Sequence, residues 1–307
     1  MLDLSVIIVN WNTRDLLLRC LDCVYKAQKS LEMEVLVVDN HSTDDSVPIA
    51  RQSFPQAQFI ENSANLGFAK ANNQGIRVAK GRYILLLNSD AFVHEDALYA
   101  MVTFMDTHSN SGAAGCRLYN EDGSLQRSCY AFPTLLTECW QLTWLDRLFP
   151  NSHIFGKYRM TYWDMGDSRP VEAVMGACLI LRTDALNQIG LLDEQFFMFS
   201  EEMDLCYRLK KVGWSVNYIP QATAVHLWGG SSNQVKGEAF LQLYRSRIMF
   251  FRKHYGKWIT RLYKTELFLG SLLRVVLAWF SGLLNDQSEE SRKGEHYRKL
   301  MQSLWTM

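Results

Sequence analysis

Residues 82–91, RYILLLNSDA, carry an unbroken apolar run, 83–87, straight into Asn88-Ser89-Asp90. A continuous apolar run with no polar alternation reads as a strand buried on both faces. Open α/β sheets place their ligands just outside the carboxyl ends of such strands. A carboxylate there is well placed to hold a divalent metal against a diphosphate, which makes Asp90 the leading candidate for chemistry.

Upstream of this stretch the chain alternates between strand and helix patterns. Residues 4–9 read as an apolar strand, Asn12-Thr13 as a cap, and the sequence to about residue 28 as a helix. Residues 34–38 form the next strand, ending at Asp39-Asn40. The loop HSTDDS leads to a short helix before Phe54-Pro55. Residues 58–61 are a third strand, 68–79 a helix and 83–87 the fourth strand. This order predicts a parallel sheet with right-handed crossovers. No G-x-G-x-x-G turn and no P-loop is present. Polar residues instead crowd the strand ends: Asn10, Asn12, Asp39, Asn40, Asn65, Asn88 and Asp90. The pattern suits a nucleotide held by side chains.

Downstream, residues 112–116 and 123–128 look like strands, and 130–168 is rich in Trp and Phe with few clear elements. Residues 171–182 are apolar and small, and 183–189 form a short helix. A helix from the acidic cluster at 201–204 reaches about residue 212. Residues 214–219 and 222–226 read as two strands. There is no internal repeat and no low-complexity segment.

The bulk numbers exclude several classes. With 307 residues, 48% hydrophobic and 21% charged, the chain is an ordinary globular protein with material for a core. A formal net charge of zero gives no footprint for nucleic acid. Seven scattered cysteines argue against a disulfide framework and for a reducing compartment. Cys20 and Cys23 form a C-x-x-C without a second pair and sit in a helical pattern, so they read as core. The N-terminus has no basic start and too short an apolar run for a secretory signal, so the chain is expected to stay in the cytosol.

Four places could carry chemistry besides Asp90. Asp39 could accept the imide N–H of a uracil or thymine ring; alternatively it or Asp44 caps the next helix. Residues 65–75, NLGFAKANNQG, open a helix whose N-terminus favours anions, and Asn72 and Asn73 are poor helix formers whose cost a ligand could explain. Glu201, Glu202 and Asp204 follow the aromatic stretch 196–199, where repulsion and desolvation should raise their pKa values and poise a general base. The other reading is a solvated acidic first turn. His226 ends a strand before Gly229-Gly230, where it serves as a metal ligand or as a hydrogen-bonded core residue.

Taken in order, these segments resemble the family 2 glycosyltransferases of the GT-A fold, in particular the bacterial rhamnosyltransferase-like subset. The motifs are VIIVNWN at 6–12, VVDNHSTDDS at 37–46, NLGFAKANNQGI at 65–76 and YILLLNSDA at 83–91. VMGACLILR at 174–182, FFMFSEEMDLCYRLKKVGW at 196–214 and VHLWGGSS at 225–232 complete the set. The resemblance implies a Rossmann-like, mostly parallel α/β sheet and inverting transfer of a sugar from a nucleoside-diphosphate donor. The best guess for that donor is dTDP-rhamnose, otherwise a UDP-hexose. The acceptor would be a hydroxyl of a glycan or lipid-linked glycan in bacterial surface polysaccharide synthesis.

The resemblance also assigns residues. Val9, Asn10, Asn12, Asp39, Asn65, Gly67, Phe68, Lys70, Asn72, Asn88, Ser89 and Asp90 would bind the donor. Asp90 and His226 would hold Mg2+ or Mn2+. Met175, Gly176 and Ala177 would face the acceptor. Glu202 would be the base, with Glu201 or Asp204 as substitutes. Two positions depart from the usual pattern. Asn88 stands where the D-x-D-type motif has its first acid, and Glu202 stands where the family has Asp. The implied division is a catalytic domain over 1–235, with a nucleotide-sugar half at 1–117 and an acceptor half at 118–235, and a helical region over 236–307.

That last region carries seven Lys or Arg and no acid between Glu238 and Glu266: Arg245, Arg247, Arg252, Lys253, Lys257, Arg261 and Lys264. Phe240, Tyr244, Ile248, Phe251 and Tyr255 recur at near-helical spacing. A basic amphipathic helix of this kind suits an anionic membrane surface. Residues 267–284 fall short of the ~20 needed to span and are read as an in-plane or docked helix, with 285–307 a frayed polar end. The expected location is the cytoplasmic face of the membrane. Two competing functions are a sugar nucleotidyltransferase, which needs a glycine-rich loop that VIIVNWNTR lacks, and a non-catalytic glycan- or nucleotide-binding subunit, which the Glu202 departure favours.

Overall fold

The computed structural model describes residues 2–227, 229–230, 232–284 and 289–307. In chain order its elements begin with β1 (Leu2–Asn10), α1 (Arg14–Lys26), β2 (Met33–Asp39), α2 (Ser46–Ser53), β3 (Gln58–Glu61) and α3 (Phe68–Val78). Next come β4 (Gly81–Asn88), β5 (Ala91–Val93), α4 (Ala97–Thr107), β6 (Ser111–Tyr119), β7 (Leu125–Gln126), β8 (Cys129–Tyr130), α5 (Leu135–Leu142) and α6 (Leu145–Leu148). The remainder are β9 (Arg169–Val171), β10 (Ala173–Val174), β11 (Cys178–Arg182), α7 (Thr183–Ile189), α8 (Glu201–Lys211), β12 (Ser215–His226), α9 (Lys236–His254), α10 (Gly256–Leu284) and α11 (Glu289–Ser303).

The apolar run at 83–87 lies in β4, with every side chain from Tyr83 to Leu87 buried. The main sheet has the order β3-β2-β1-β4-β11-β6-β12-β5. Its first four strands are parallel, as the strand–helix alternation predicts. Beyond β4 the sheet is mixed: β11 runs antiparallel to both β4 and β6, while β12 is parallel to β6. Register decides what meets at the carboxyl edge. Asn10 stands opposite Asp39 across β1 and β2, and Val9 opposite Asn88 across β1 and β4. Leu4, Val6 and Ile8 of β1 pack with Leu17, Leu21 and Val24 of α1 and with Leu98 and Met101 of α4 in the main core.

The chain forms two compact units. One comprises residues up to 132, 163–197 and 201–234; the other comprises 133–162, 198–200 and 235–307. Residues 133–162, read from sequence as part of an acceptor half, therefore group with the C-terminal helices. The cause is side-chain chemistry. Leu142 of α5 joins Ile248, Phe251, Tyr263, Leu267, Leu300 and Leu304 in one core. Beside it, Glu138 takes a hydrogen bond from Tyr263 Oη at 3.0 Å and pairs with Arg247 at 3.1 Å.

Three elements differ from the sequence reading. The expected strand at 123–128 shrinks to Leu125–Gln126, because Asp122 accepts from the Ser124 amide and hydroxyl in a tight turn. The two strands expected at 214–219 and 222–226 are one, β12, with a register shift around Pro220 that absorbs the missing N–H. The end expected to fray carries α11, anchored by buried Leu300 and Leu304. The apolar face of α9 is also reassigned. Ile248 and Phe251 are buried in the second unit's core, so they are not a membrane-facing stripe.

Candidate functional site

At the carboxyl ends of β1 and β2, polar side chains bond one another into a rigid rim. Asn10 Nδ2 donates to Asp39 Oδ1 at 2.8 Å and to Ser42 Oγ at 3.0 Å. Asp39 also accepts from the Ser42 hydroxyl at 2.6 Å and the Ser42 amide at 2.8 Å. A carboxylate offers about four lone-pair sites, so Asp39 retains capacity for one further donor. Asn12, in the left-handed region with φ 51°, accepts from Thr43 N at 2.7 Å. Thr13 Oγ1 donates to Asn10 Oδ1 at 2.7 Å and meets Ser89 Oγ at 2.9 Å, tying the β1 rim to the end of β4. Asp44 Oδ2 accepts from Arg14 N at 2.8 Å at the start of α1, and its Oδ1 accepts from Ser46 N at 3.3 Å at the start of α2, the helix it was expected to cap.

The start of α3 is fixed against this rim. Asn65 Oδ1 accepts from Gly67 N at 3.0 Å, and Asn40 Nδ2 donates to Gly67 O at 3.2 Å. Gly67 has φ 84°, and a β-carbon there would stand 2.5 Å from Phe197 O, so only glycine fits. Phe68 N donates to that same Phe197 oxygen at 2.6 Å, which commits one of the helix's free amides. Lys70 stays exposed on the first turn. Asn72 is buried with Oδ1 lacking a hydrogen-bond partner, whereas Asn73 is fully engaged. Asn73 Nδ2 donates to Leu192 O at 2.8 Å and Glu194 Oε1 at 3.0 Å, and its Oδ1 accepts from Leu192 N at 3.1 Å. The cost of Asn73 in a helix is thus explained by a clamp on the 190–195 loop, with no ligand needed.

Asp90 and His226 meet beyond β4. Asp90 Oδ1 lies 3.3 Å from His226 Nε2, and Asp90 Oδ2 accepts from Gly230 N at 2.8 Å. Burial pushes the Asp90 carboxyl up, but contact with His226 and the Gly230 amide outweigh it and hold it below its ordinary value. His226 Nδ1 lies 2.7 Å from Gln126 Oε1, while Gln126 Nε2 donates to His226 O at 3.0 Å. An amide oxygen only accepts, so Nδ1 carries a proton and donates to Gln126, which fixes the ring with Nε2 toward Asp90. Asn88 Nδ2 approaches Nε2 at 3.4 Å, and Asn88 Oδ1 is buried without a partner. A carboxylate oxygen and an imidazole nitrogen 3.3 Å apart, at a strand end where Asn88 carries an orphaned amide oxygen, are donors that suit a divalent cation. Among the described residues no third His, Cys, Asp or Glu joins them. Such an ion would complete its shell with substrate phosphates and water, as Mg2+ commonly does.

The acidic cluster separates into three roles. Asp204 is fully buried and paired with Arg208 Nε at 2.8 Å; Arg208 in turn donates to the carbonyls of Ile189 and Leu191. Its carboxylate pins the 189–191 turn. Glu201 is buried with Oε2 lacking a partner; burial first, then the charges of Glu202 and Asp204, push its carboxyl well above the ordinary range. Glu202 is the partly exposed member. The turn before α8 holds Phe199 and Ser200 in consecutive left-handed conformations, φ 68° and 64°, a costly arrangement for Phe.

The Met175-Gly176-Ala177 segment links β10 to β11. Ala177 O accepts from Asn88 N at 3.0 Å. A β-carbon on Gly176 would stand 3.5 Å from Glu202 Cβ and 3.6 Å from its Cγ. The segment therefore touches the end of β4 on one side and Glu202 on the other. A surface cleft of about 390 Å³ lies beside Gly230, lined by Asn12, Thr13, Arg14, Asp15, Leu16, Asp44 and Asp45, and Glu202 is not in its wall. Sequence reasoning missed Gln126, Ser42 and the Gly230 amide. Ser42 lay in a loop already singled out, but nothing local marks Gln126, which lies 100 residues from its partner.

The model of glycosyl transferase family 2 matches residues 5–162. One relative, the N-acetylglucosaminyl-diphospho-decaprenol L-rhamnosyltransferase of Mycobacterium tuberculosis, is 27% identical over 237 residues, covering 74% of this chain and 76% of the relative. The low-salt glycan biosynthesis hexosyltransferase Agl10 of Haloferax volcanii is 26% identical over 275 residues, covering 86% and 80%. Among solved structures, the mannosyltransferase PcManGT of Pyrobaculum calidifontis in complex with GDP-Man and Mn2+ superposes with TM-score 0.56 at 15% identity, covering 98% of this chain and 87% of that one. S. aureus TarS 1–349 in complex with UDP-GlcNAc gives 0.54 at 19% identity, covering 99% and 73%.

Proposed function

Because this chain belongs to glycosyl transferase family 2 and has the GT-A fold, we propose that it moves a sugar from a nucleoside diphosphate to an acceptor hydroxyl with inversion. As a family 2 glycosyltransferase it acts in glycan or cell-wall polysaccharide synthesis. For the donor we read dTDP-rhamnose first, on the likeness to a rhamnosyltransferase, and a UDP-hexose second. The same relative acts on a diphospho-decaprenol, which supports a lipid-linked acceptor and a place at the cytoplasmic face of the membrane.

The observation that carries the reading is the 175–177 segment, in contact with the strand end that bears Asn88 and Asp90 and with Glu202. Asp39 accepts the base imide, and the opening of α3 with Lys70 faces the diphosphate. Asp90 and His226 would hold Mg2+ or Mn2+. When bound, the cation supplies charge to the departing diphosphate. Glu202 takes the acceptor's proton as its oxygen attacks the anomeric carbon from the face opposite the leaving group. One base on one face gives inversion. Gly176, lacking a side chain, leaves room for a carboxylate one methylene longer than Asp. Glu201, buried and with its carboxyl pushed up, leaves the partly exposed Glu202 as the base, and Asp204 serves as a strut.

A thermal-shift panel of nucleotide sugars with Mn2+ tests the donor. A nucleotide sugar at 100 times its Kd adds ~2.7 kcal/mol of stability. The reading requires at least one member of the panel to do so in a metal-dependent way, and it fails if none does.

A further inference from the structure

The amphipathic signal in the sequence pointed to the face of α9 that the fold buries, yet α10 leaves a different apolar face open. Tyr263 and Leu267 turn inward to Ile248, Phe251, Leu300 and Leu304. On the other side, Trp258, Leu262, Leu269, Leu272, Leu273 and Val276 are each 41–76% exposed. Positions 258, 262, 265, 269, 272 and 276 repeat at alternating spacings of four and three, which puts them on one face. Thr265 is the single polar member of that stripe. At 1.5 Å per residue the stripe is about 27 Å long. An exposed, continuous apolar face of this size marks an interaction surface.

The charges select the partner. Lys257 and Arg261 are exposed beside Trp258, with Arg261 stacked 5.0 Å from the Trp258 ring, and Arg252 is exposed in the last turn of α9. The only acid in α10 is Glu266, half-buried and off the stripe. Trp305 is 61% exposed, and Lys264 Nζ donates to Met307 O at 3.2 Å, which sets residues 305–307 beside the third turn of α10. Indole rings and cations beside an aliphatic stripe are the composition of a helix lying in an anionic bilayer interface. No helix of the described residues is long and apolar enough to cross a membrane.

We propose that the Trp258–Val276 face of α10 lies in the plane of an anionic phospholipid surface, with Lys257 and Arg261 at the headgroups. The proposal rests on the membrane placement given above and names the surface that achieves it.

The test is flotation of the full chain with vesicles of phosphatidylcholine, with and without phosphatidylglycerol, alongside light scattering for oligomeric state. The wild type should float with the anionic vesicles and more weakly with the neutral ones. Leu269→Gln with Leu272→Gln should cut partitioning at least about tenfold, and Lys257→Gln with Arg261→Gln should remove the preference for anionic lipid. Leu243→Gln, an exposed apolar residue on α9, should change nothing. Wild-type protein that stays in solution overturns the proposal, as does flotation unaffected by the α10 changes. A dimer that those changes dissociate, without vesicle binding, assigns the face to a second copy and overturns it too. Nucleotide-sugar turnover on a water-soluble acceptor should be equal in wild type and the Leu269/Leu272 variant. If no turnover occurs while flotation behaves as stated, the catalytic reading falls and the membrane surface stands.

Discussion

Asp90 meets two neighbours with its two oxygens: Oδ2 holds the Gly230 amide, and Oδ1 faces His226 Nε2 at 3.3 Å. Asp90→Asn keeps the shape and removes the charge. We expect it to abolish Mn2+-dependent strengthening of donor binding in titration calorimetry and to lower transfer at least about 100-fold, the scale of lost electrostatic stabilisation at a leaving group. Donor affinity that still rises with Mn2+ would contradict the role. The position of Asp90 at the end of a buried strand was legible because it follows an apolar run. Gln126, which fixes the ring of His226, was not, because β6, β7 and β12 bring it there through sheet pairing alone.

At the scale of elements, α3 shows how the same residue type supports two readings. Asn72 and Asn73 both look misplaced in a helix, and sequence offers ligand binding as the common cause. The fold separates them: Asn73 satisfies the Leu192 backbone on both its amide and carbonyl, whereas Asn72 keeps an unsatisfied oxygen. Asn73→Ala would leave two buried backbone groups without partners, so it should cost about 2 kcal/mol, read as a lower midpoint in thermal unfolding. An unchanged midpoint would show that the clamp is dispensable. The strand–helix alternation of the first hundred residues was readable because each element carries its own period and its own caps. The α9 face was misread for a complementary reason. Periodicity says that a face is apolar, while only packing says whether protein or solvent covers it.

Across the whole molecule, the second unit is organised around a buried ionic and phenolic group. Glu138 binds Arg247 and Tyr263, and Arg247 bonds to Tyr158 Oη. Glu266 lies near it without a partner for Oε1, and burial first, then the Glu138 charge, push its carboxyl from an ordinary 4.5 up to about 8. The nearby Cys139 thiol is raised as well, by burial and then by Glu266. The folded chain therefore holds a proton that the unfolded chain releases above pH 4.5, so this contribution is complete below 4.5 and is lost as pH rises toward 8. Glu266→Gln should raise the unfolding midpoint most at pH 8 and flatten its pH dependence between 5 and 8; a parallel shift at every pH would refute the assignment.

The central claim is that Glu202 is the base of a sugar transfer. Its most direct test is nucleoside diphosphate release from the best-binding nucleotide sugar with acceptor and Mn2+, compared between wild type and Glu202→Gln. The account predicts turnover by the wild type, and a fall of about 100- to 10,000-fold in Glu202→Gln, the usual worth of a general base, with donor affinity unchanged. Equal rates in the two proteins, or a wild type that binds donor and acceptor yet releases no diphosphate, would contradict it.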